Sequence, residues 1–156
     1  MKRIFTCLFG LSLCCSCVFA QTIPYGISSD TIYHEDSLWH SGMGTGHEIY
    51  YCKPANYDSV NSPIWLALHG QGGNGSTTIS DIQDIADKRA TLVVAPSYGS
   101  LSWNRGYDLP TIGTCRDTLI WLPYIFNQIY KHILLREGRD SISVYLSGFS
   151  AGGQCV

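Results

Sequence analysis

Short apolar runs alternate with amphipathic stretches along most of this 156-residue chain. Residues 64–68 and 91–96 are apolar or β-branched throughout, which is typical of strands covered on both faces. Residues 47–53 alternate between polar and apolar positions until Pro54 ends the pattern, and residues 142–147 form a further β-rich run. The pattern predicts four strands, the first of which has an edge position as one option.

A helix is predicted between the second and third of these strands. Its apolar positions recur at helical spacing over residues 79–89, behind the N-cap candidates Thr77 and Thr78. Asp81 falls in the expected first turn, where a carboxylate complements the helix dipole. We expect a surface helix with one face on the sheet.

The second predicted helix spans residues 118–136, where apolar positions mark one face. Pro123 either kinks this helix or occupies its first turn. The order strand, strand, helix, strand, helix, strand is typical of parallel strands joined by helical crossovers. We therefore expect an α/β fold, a mostly parallel sheet with helices on both faces, and functional residues at the carboxyl ends of its strands.

The first 20 residues have the pattern of a secretory signal peptide. Lys2 and Arg3 precede an apolar stretch too short to span a bilayer, and Ala20 supplies a small residue at the cleavage site. A lipoprotein that keeps Cys17 at its amino terminus matches less well. We predict cleavage after Ala20 and a secreted or periplasmic protein, with residues 21–45 as an irregular lead-in and residues 46–156 as the folded domain.

Charge, cysteine and histidine content indicate which partners, disulfides and metal sites to expect. Ten basic against twelve acidic residues give a net charge of −2, without the basic cluster that nucleic acid or anionic lipid requires. After signal cleavage three cysteines remain, Cys52, Cys115 and Cys155, and which two would pair is open, Cys52 with Cys115 being one option. Histidines and cysteines lack the spacing of zinc ligands, so we expect no metal and no cofactor.

Two glycine-rich segments follow predicted strands. One is His69–Gly73, and the other contains Gly148, Ser150 and Gly152 in a Gly-x-Ser-x-Gly pattern. At a sharp strand-to-helix turn the backbone crowds, so the residues two before and two after the serine must be small. The alternative is a helix-opening turn that contains serine by chance.

The chemistry that such a turn supports is nucleophilic. A serine hydroxyl attacks a carbonyl only when a base takes its proton, and the resulting oxyanion needs donors already in place. The backbone N–H of Ala151 would be one donor, at the start of the next helix. For the second we expect the backbone N–H of Gln71, with Gly72 as second choice. His69 is expected to brace this loop through its ring rather than to act as the base.

Three segments, "SPIWLALHGQGGNG", "IADKRATLVVAPS" and "SISVYLSGFSAGG", resemble the first half of the α/β-hydrolase fold. The likeness covers about residues 46–156 and is closest to secreted esterases that include polyhydroxybutyrate depolymerase-like and feruloyl or acetylxylan esterases. It implies that Ser150 is the nucleophile, that Ala151 is the residue after it, and that His69-Gly70-Gln71 forms the oxyanion loop.

In that family the catalytic acid and histidine follow the serine. Every histidine of the mature chain precedes Ser150: His34, His40, His47, His69 and His132. We therefore expect the chain to be the amino-terminal part of a hydrolase, cut just after the serine turn and inactive alone. Asp108 and Asp117 also precede the serine, and a loop or helix-cap role suits them better than that of the acid.

The expected function is a serine esterase that forms an acyl-enzyme on esters of polysaccharides or polyesters. Tyr98, Trp103 and Tyr107 either line its substrate pocket or pack a long loop onto the sheet. A serine peptidase of the prolyl-oligopeptidase type is one alternative, although the short lead-in argues against the additional domain that such enzymes usually carry. A non-catalytic binding protein with a hydrolase-like fold is another.

Overall fold

A computed structural model describes residues 21–33, 46–70, 72–97, 115–150 and 152–156. These ranges contain five strands and two α-helices, and their last element is a 3₁₀ helix. In chain order the elements are β1 (Gly26–Tyr33), β2 (Gly46–Lys53), β3 (Ile64–Leu68), α1 (Gly75–Arg89), β4 (Leu92–Pro96), α2 (Cys115–Glu137), β5 (Val144–Gly148) and the 3₁₀ helix Gly152–Cys155.

The strands form one mixed sheet in the order β1-β2-β4-β3-β5. Strand β3 is parallel to both β4 and β5, and the helices α1 and α2 make the crossovers between these parallel strands. Strand β2 runs antiparallel to β1 and to β4. The β5 strand lies at the edge of the described sheet, so its only neighbour there is β3.

Each helix covers one face of the sheet. Successive residues of a strand point to opposite faces, and the core separates in the same way. The α2 side holds Ile64, Leu66, Leu92 and Val94 with Ile129 and Ile133 of α2. The α1 side holds Ala67, Val93 and Ala95 with Ile79 and Ala86 of α1. The predicted α/β class with helices on both faces is confirmed.

The lead-in predicted to be irregular contains strand β1, so that expectation is wrong for residues 26–33. Because β1 covers the outer side of β2, the suggested edge position of β2 is wrong as well. Strand β1 packs one face against the core: Ile32 is buried, whereas Ile27, on the opposite face, is 59% exposed. The sequence of β1 therefore carries little of the apolar signal that revealed the other strands.

A buried ion pair ties this lead-in to the core. The Lys53 ammonium lies 2.8 and 3.0 Å from the two carboxylate oxygens of Glu137, and it also donates to the carbonyl of Ile23 at 3.2 Å. Both side chains are at most 4% exposed. The rings of Tyr25 and Tyr57 each lie 5.0 Å from the ammonium, within cation–π range.

Helix α1 is confirmed but begins before its predicted start. Asn74 is the N-cap, and its side chain accepts a hydrogen bond from the Thr77 backbone N–H at 2.9 Å. Thr77 and Thr78 lie inside the helix, where their hydroxyls donate to the Asn74 carbonyl. The threonine caps are therefore wrong, and Asp81 lies beyond the first turn.

Helix α2 begins at Cys115, and Pro123 lies in its interior, so the first-turn position for Pro123 is wrong. Cys52 is a free, buried thiol. It packs in the core on the α1 side. Because the Cys52 thiol is free, the suggested pairing with Cys115 is wrong. Residues 98–114, with the aromatic residues of the predicted loop and Asp108, lie outside the described residues.

Candidate active site

The two glycine-rich segments meet because β3 and β5 are neighbours. The strands are parallel and Leu68 pairs with Gly148, so both chains leave the sheet at the same edge. The Phe149 N–H donates to the Leu68 carbonyl at 3.1 Å, which continues the pairing by one step. The Gly152 N–H then donates to the Phe149 carbonyl at 2.9 Å and closes a tight turn around residue 150.

Ser150 occupies the tip of this turn with φ of 53°, in the left-handed region. For a residue with a Cβ this conformation costs about 1–2 kcal/mol, so it is found where surrounding contacts hold the backbone in place. The residue is exposed. The turn therefore presents one hydroxyl above the carboxyl end of the sheet.

The glycines on either side of Ser150 are required by close backbone contacts. A Cβ on Gly148 would lie 2.2 Å from the Gly152 carbonyl oxygen, and one on Gly152 would lie 2.6 Å from the carbonyl oxygens of Leu68 and His69. No side chain fits at such distances without displacement of the backbone. The structure confirms the crowding that the Gly-x-Ser-x-Gly pattern predicts.

The loop after β3 packs directly against the serine turn. A Cβ on Gly70 would lie 3.1 Å from the Ser150 Cβ and 3.1 Å from the Phe149 ring. The Gly70 carbonyl accepts the Gly73 N–H at 3.0 Å and lies 2.7 Å from His69 Nδ1. Because a carbonyl can only accept, this hydrogen bond places the proton of a neutral His69 ring on Nδ1. Burial lowers the pKa of His69, which favours the neutral ring.

The predicted site residues are brought together only in part. Ser150 and the His69–Gly70 segment are adjacent, whereas Gln71 and Ala151 lie outside the described residues. Gly72 follows in the loop with φ of 74°. His132 lies 3.2 Å from Asp30 of β1, at the opposite edge of the sheet from β5, so it does not reach Ser150.

Sequence reasoning missed a contact beneath the turn. The indole Nε1 of Trp65 in β3 donates to the Ser147 hydroxyl in β5 at 2.6 Å. Both side chains line a cavity of about 430 Å³ that reaches the serine turn, together with His69, Thr77, Asp81 and Phe149. Only the strand register brings these two residues together, so no local motif reveals the contact.

Among the described residues, no group of three or more histidine, cysteine or acidic side chains is placed to hold a metal ion. Within the described ranges, no helix is long and apolar enough to cross a membrane.

Known proteins resemble this chain in sequence and in fold. The chain is 34% identical over 113 residues to a bifunctional acetylxylan esterase/xylanase from Neocallimastix patriciarum, a match that covers 71% of the chain and 15% of that protein. A poly(3-hydroxybutyrate) depolymerase from Bordetella parapertussis superposes with a TM-score of 0.66 at 24% identity, covering 85% of the chain and 46% of that structure. An acetyl xylan esterase from Aspergillus awamori gives 0.55 at 18% identity, covering 82% and 44%.

No protein-family model matches the chain. The chain spans less than half the length of these two solved structures and 15% of the curated relative. The predicted resemblance to polyhydroxybutyrate depolymerases and acetylxylan esterases is confirmed, and the chain has the α/β-hydrolase fold.

Proposed function

We propose that the protein is a serine ester hydrolase and that Ser150 is its nucleophile. The observation that carries this proposal is the left-handed turn at Ser150, which rests on two glycines that admit no side chain and faces the Gly70 backbone. A strained, exposed serine just after the carboxyl end of a parallel strand is the arrangement that α/β-hydrolases use for nucleophilic attack.

The reaction would proceed through an acyl-enzyme. Ser150 Oγ attacks the ester carbonyl as its proton passes to a base, and the tetrahedral intermediate expels the alcohol. Water then releases the acid by the same steps. The oxyanion would be held by the backbone N–H of Ala151 and by that of Gln71, or of Gly72, in the loop that packs against Ser150.

His69 and His132 suit other roles than that of the base. The Nδ1 of His69 is engaged by the Gly70 carbonyl, and His132 lies beside Asp30 at the far edge of the sheet. We propose that the base and its acid follow Ser150 along a longer chain, in the order of the hydrolases that this chain resembles. Residues 1–156 alone would then have little or no activity.

We propose a polymeric or carbohydrate-linked ester as the substrate and an extracellular or periplasmic location. The similarity to an acetylxylan esterase and to a polyester depolymerase supports this substrate class. The amino-terminal pattern of a signal peptide that ends at Ala20 supports export.

Ser150→Ala in the full-length protein tests the assignment. We expect turnover of acetylated xylan and of a soluble acetyl ester to fall by about 10⁴–10⁶-fold, with the fold retained, because only the attacking oxygen is removed. Ser80→Ala, on the exposed side of α1, is the matched control and should keep full activity. A fluorophosphonate probe should label wild type and Ser80→Ala and leave Ser150→Ala unlabelled.

Three outcomes would contradict the proposal. Undiminished ester turnover in Ser150→Ala would exclude Ser150 as nucleophile. Cleavage of peptides with no cleavage of esters would favour the alternative of a serine peptidase of the prolyl-oligopeptidase type. Binding of the polymer with no hydrolysis by the full-length wild type would favour the non-catalytic alternative.

A further inference from the structure

We propose that Trp65 is a positioning residue for Ser150: its indole N–H, bonded to the Ser147 hydroxyl, holds the end of β5 against β3 and so fixes the serine turn against the loop at Gly70. This inference rests on the proposed function, since it assigns a role in the reaction of Ser150. Trp65 itself touches none of the reacting atoms in this scheme.

The strand that carries Ser150 is held from one side only within the described sheet. Strand β5 pairs with β3 and with no other described strand, and Val144, Tyr145 and Leu146 are all exposed. Among the described strands, contacts across the β3–β5 pair hold β5 in place. Trp65 is paired with Tyr145, and its side chain reaches two residues further along β5 to Ser147.

The donor of this contact is anchored more firmly than its acceptor. Trp65 packs on the α1-side core formed by residues such as Cys52, Ala67 and Val93, in the middle of the sheet. Because an indole N–H can only donate, the Ser147 oxygen must accept, and its own proton remains available to another partner. The Nε1–Oγ distance of 2.6 Å is just below the usual range of about 2.7–3.2 Å for such a bond.

Displacement of Ser147 would be transmitted to Ser150 because the intervening turn is tightly packed. Gly148 is in contact with Gly152, and Gly152 with the carbonyl oxygens of Leu68 and His69. We therefore expect the segment to move as a unit relative to the loop after β3. That movement changes the distance between the Ser150 hydroxyl and oxyanion donors on the loop, and a misplacement of about 1 Å can cost about 100-fold in rate.

The test uses four variants of the full-length protein: Trp65→Phe, Ser147→Ala, their combination, and Ser147→Thr. We expect each of the first two to lower kcat about 10–100-fold with KM changed less than about twofold, because the transition state is affected more than substrate binding. The double variant should be no worse than either single one. Ser147→Thr keeps a hydroxyl and should retain most of the activity, as should the control Tyr145→Phe on the same strand.

A second measurement does not depend on activity. Hydrogen–deuterium exchange of the amides of residues 144–150 should be faster by at least about tenfold in Trp65→Phe and Ser147→Ala, and unchanged in Tyr145→Phe. Unchanged exchange would overturn the proposal even if a variant were less stable. Wild-type kcat in both single variants, or additive losses in the double variant, would overturn it as well.

The two proposals fail in different ways. If full-length wild type shows no Ser150-dependent turnover, the proposed function fails and with it the catalytic role of Trp65. If wild type is active while the variants at positions 65 and 147 keep its kcat, only the positioning role fails. Loss of kcat with faster exchange in β5 and rescue by Ser147→Thr would support both.

Discussion

Replacement of Gly148 by alanine tests the serine turn most directly. A Cβ at residue 148 would lie 2.2 Å from the Gly152 carbonyl oxygen, whereas real Cβ atoms keep at least 3.0 Å from such atoms. The two backbone segments must therefore separate by 3.0 − 2.2 = 0.8 Å. Because Gly148 and Gly152 flank Ser150, most of this shift falls on the serine and its surroundings.

The size of the shift sets the expected loss. Overpacking of this kind costs about 1–3 kcal/mol of unfolding free energy. A displacement approaching 1 Å at the reacting group should lower kcat by up to about 100-fold. Gly153→Ala is the matched control, because a Cβ there would lie 3.1 Å from its nearest neighbour, the Gly148 carbonyl oxygen, so a movement of a few tenths of an ångström relieves the contact.

The assay compares the two variants in the full-length protein. Initial rates on a soluble acetyl ester give kcat and KM, and urea unfolding gives the free energy of unfolding. The reasoning would be refuted if Gly148→Ala matched Gly153→Ala within about twofold in kcat and within about 0.5 kcal/mol in stability, which is the size of an ordinary surface effect.

Three further predictions concern stability. Glu137→Gln should lower the free energy of unfolding by about 3–5 kcal/mol in urea, because the Lys53 ammonium stays buried without its counter-charge; replacement of both residues by leucine should recover most of the loss. Asn74→Ala should cost about 1 kcal/mol as a lost N-cap, against no change for the exposed Ser76→Ala, in the same unfolding assay. Burial lowers the pKa of His69, so as the pH falls the unfolded chain binds a proton at this residue before the folded chain does. The free energy of unfolding should therefore decrease as the pH drops below about 6.5. In thermal unfolding between pH 5 and 8, His69→Asn should lose less stability than the wild type over the same pH range.

Much of the fold could be predicted from local sequence because its centre is buried on both faces. In β4 all five residues are buried, so its apolar run has no polar interruption. Strand β1 packs one face only, and its polar sequence gave no such signal. The N-cap of α1 was misplaced because Asn74 and the two threonines are all good capping residues, and only the backbone geometry distinguishes them.

The candidate site, too, could be predicted from local sequence only in part. The turn at Ser150 could be predicted because it requires small residues two positions before and two positions after the serine. This requirement is visible within five consecutive residues. The contact between Trp65 and Ser147 spans 82 residues of sequence and depends on the register of β3 with β5. A sequence taken alone carries no register, so contacts of this kind appear only in the folded chain.

The buried pair of Lys53 and Glu137 has a consequence for the speed of folding. The two residues are 84 positions apart, and their charges lose water only when the lead-in, β2 and the end of α2 have all assembled. We expect a buried charge pair that closes so long a loop to form late, after the transition state. The stabilisation that the pair gives the folded chain should therefore appear as slower unfolding rather than faster folding. The pair would then increase the kinetic stability of a sheet that has already formed.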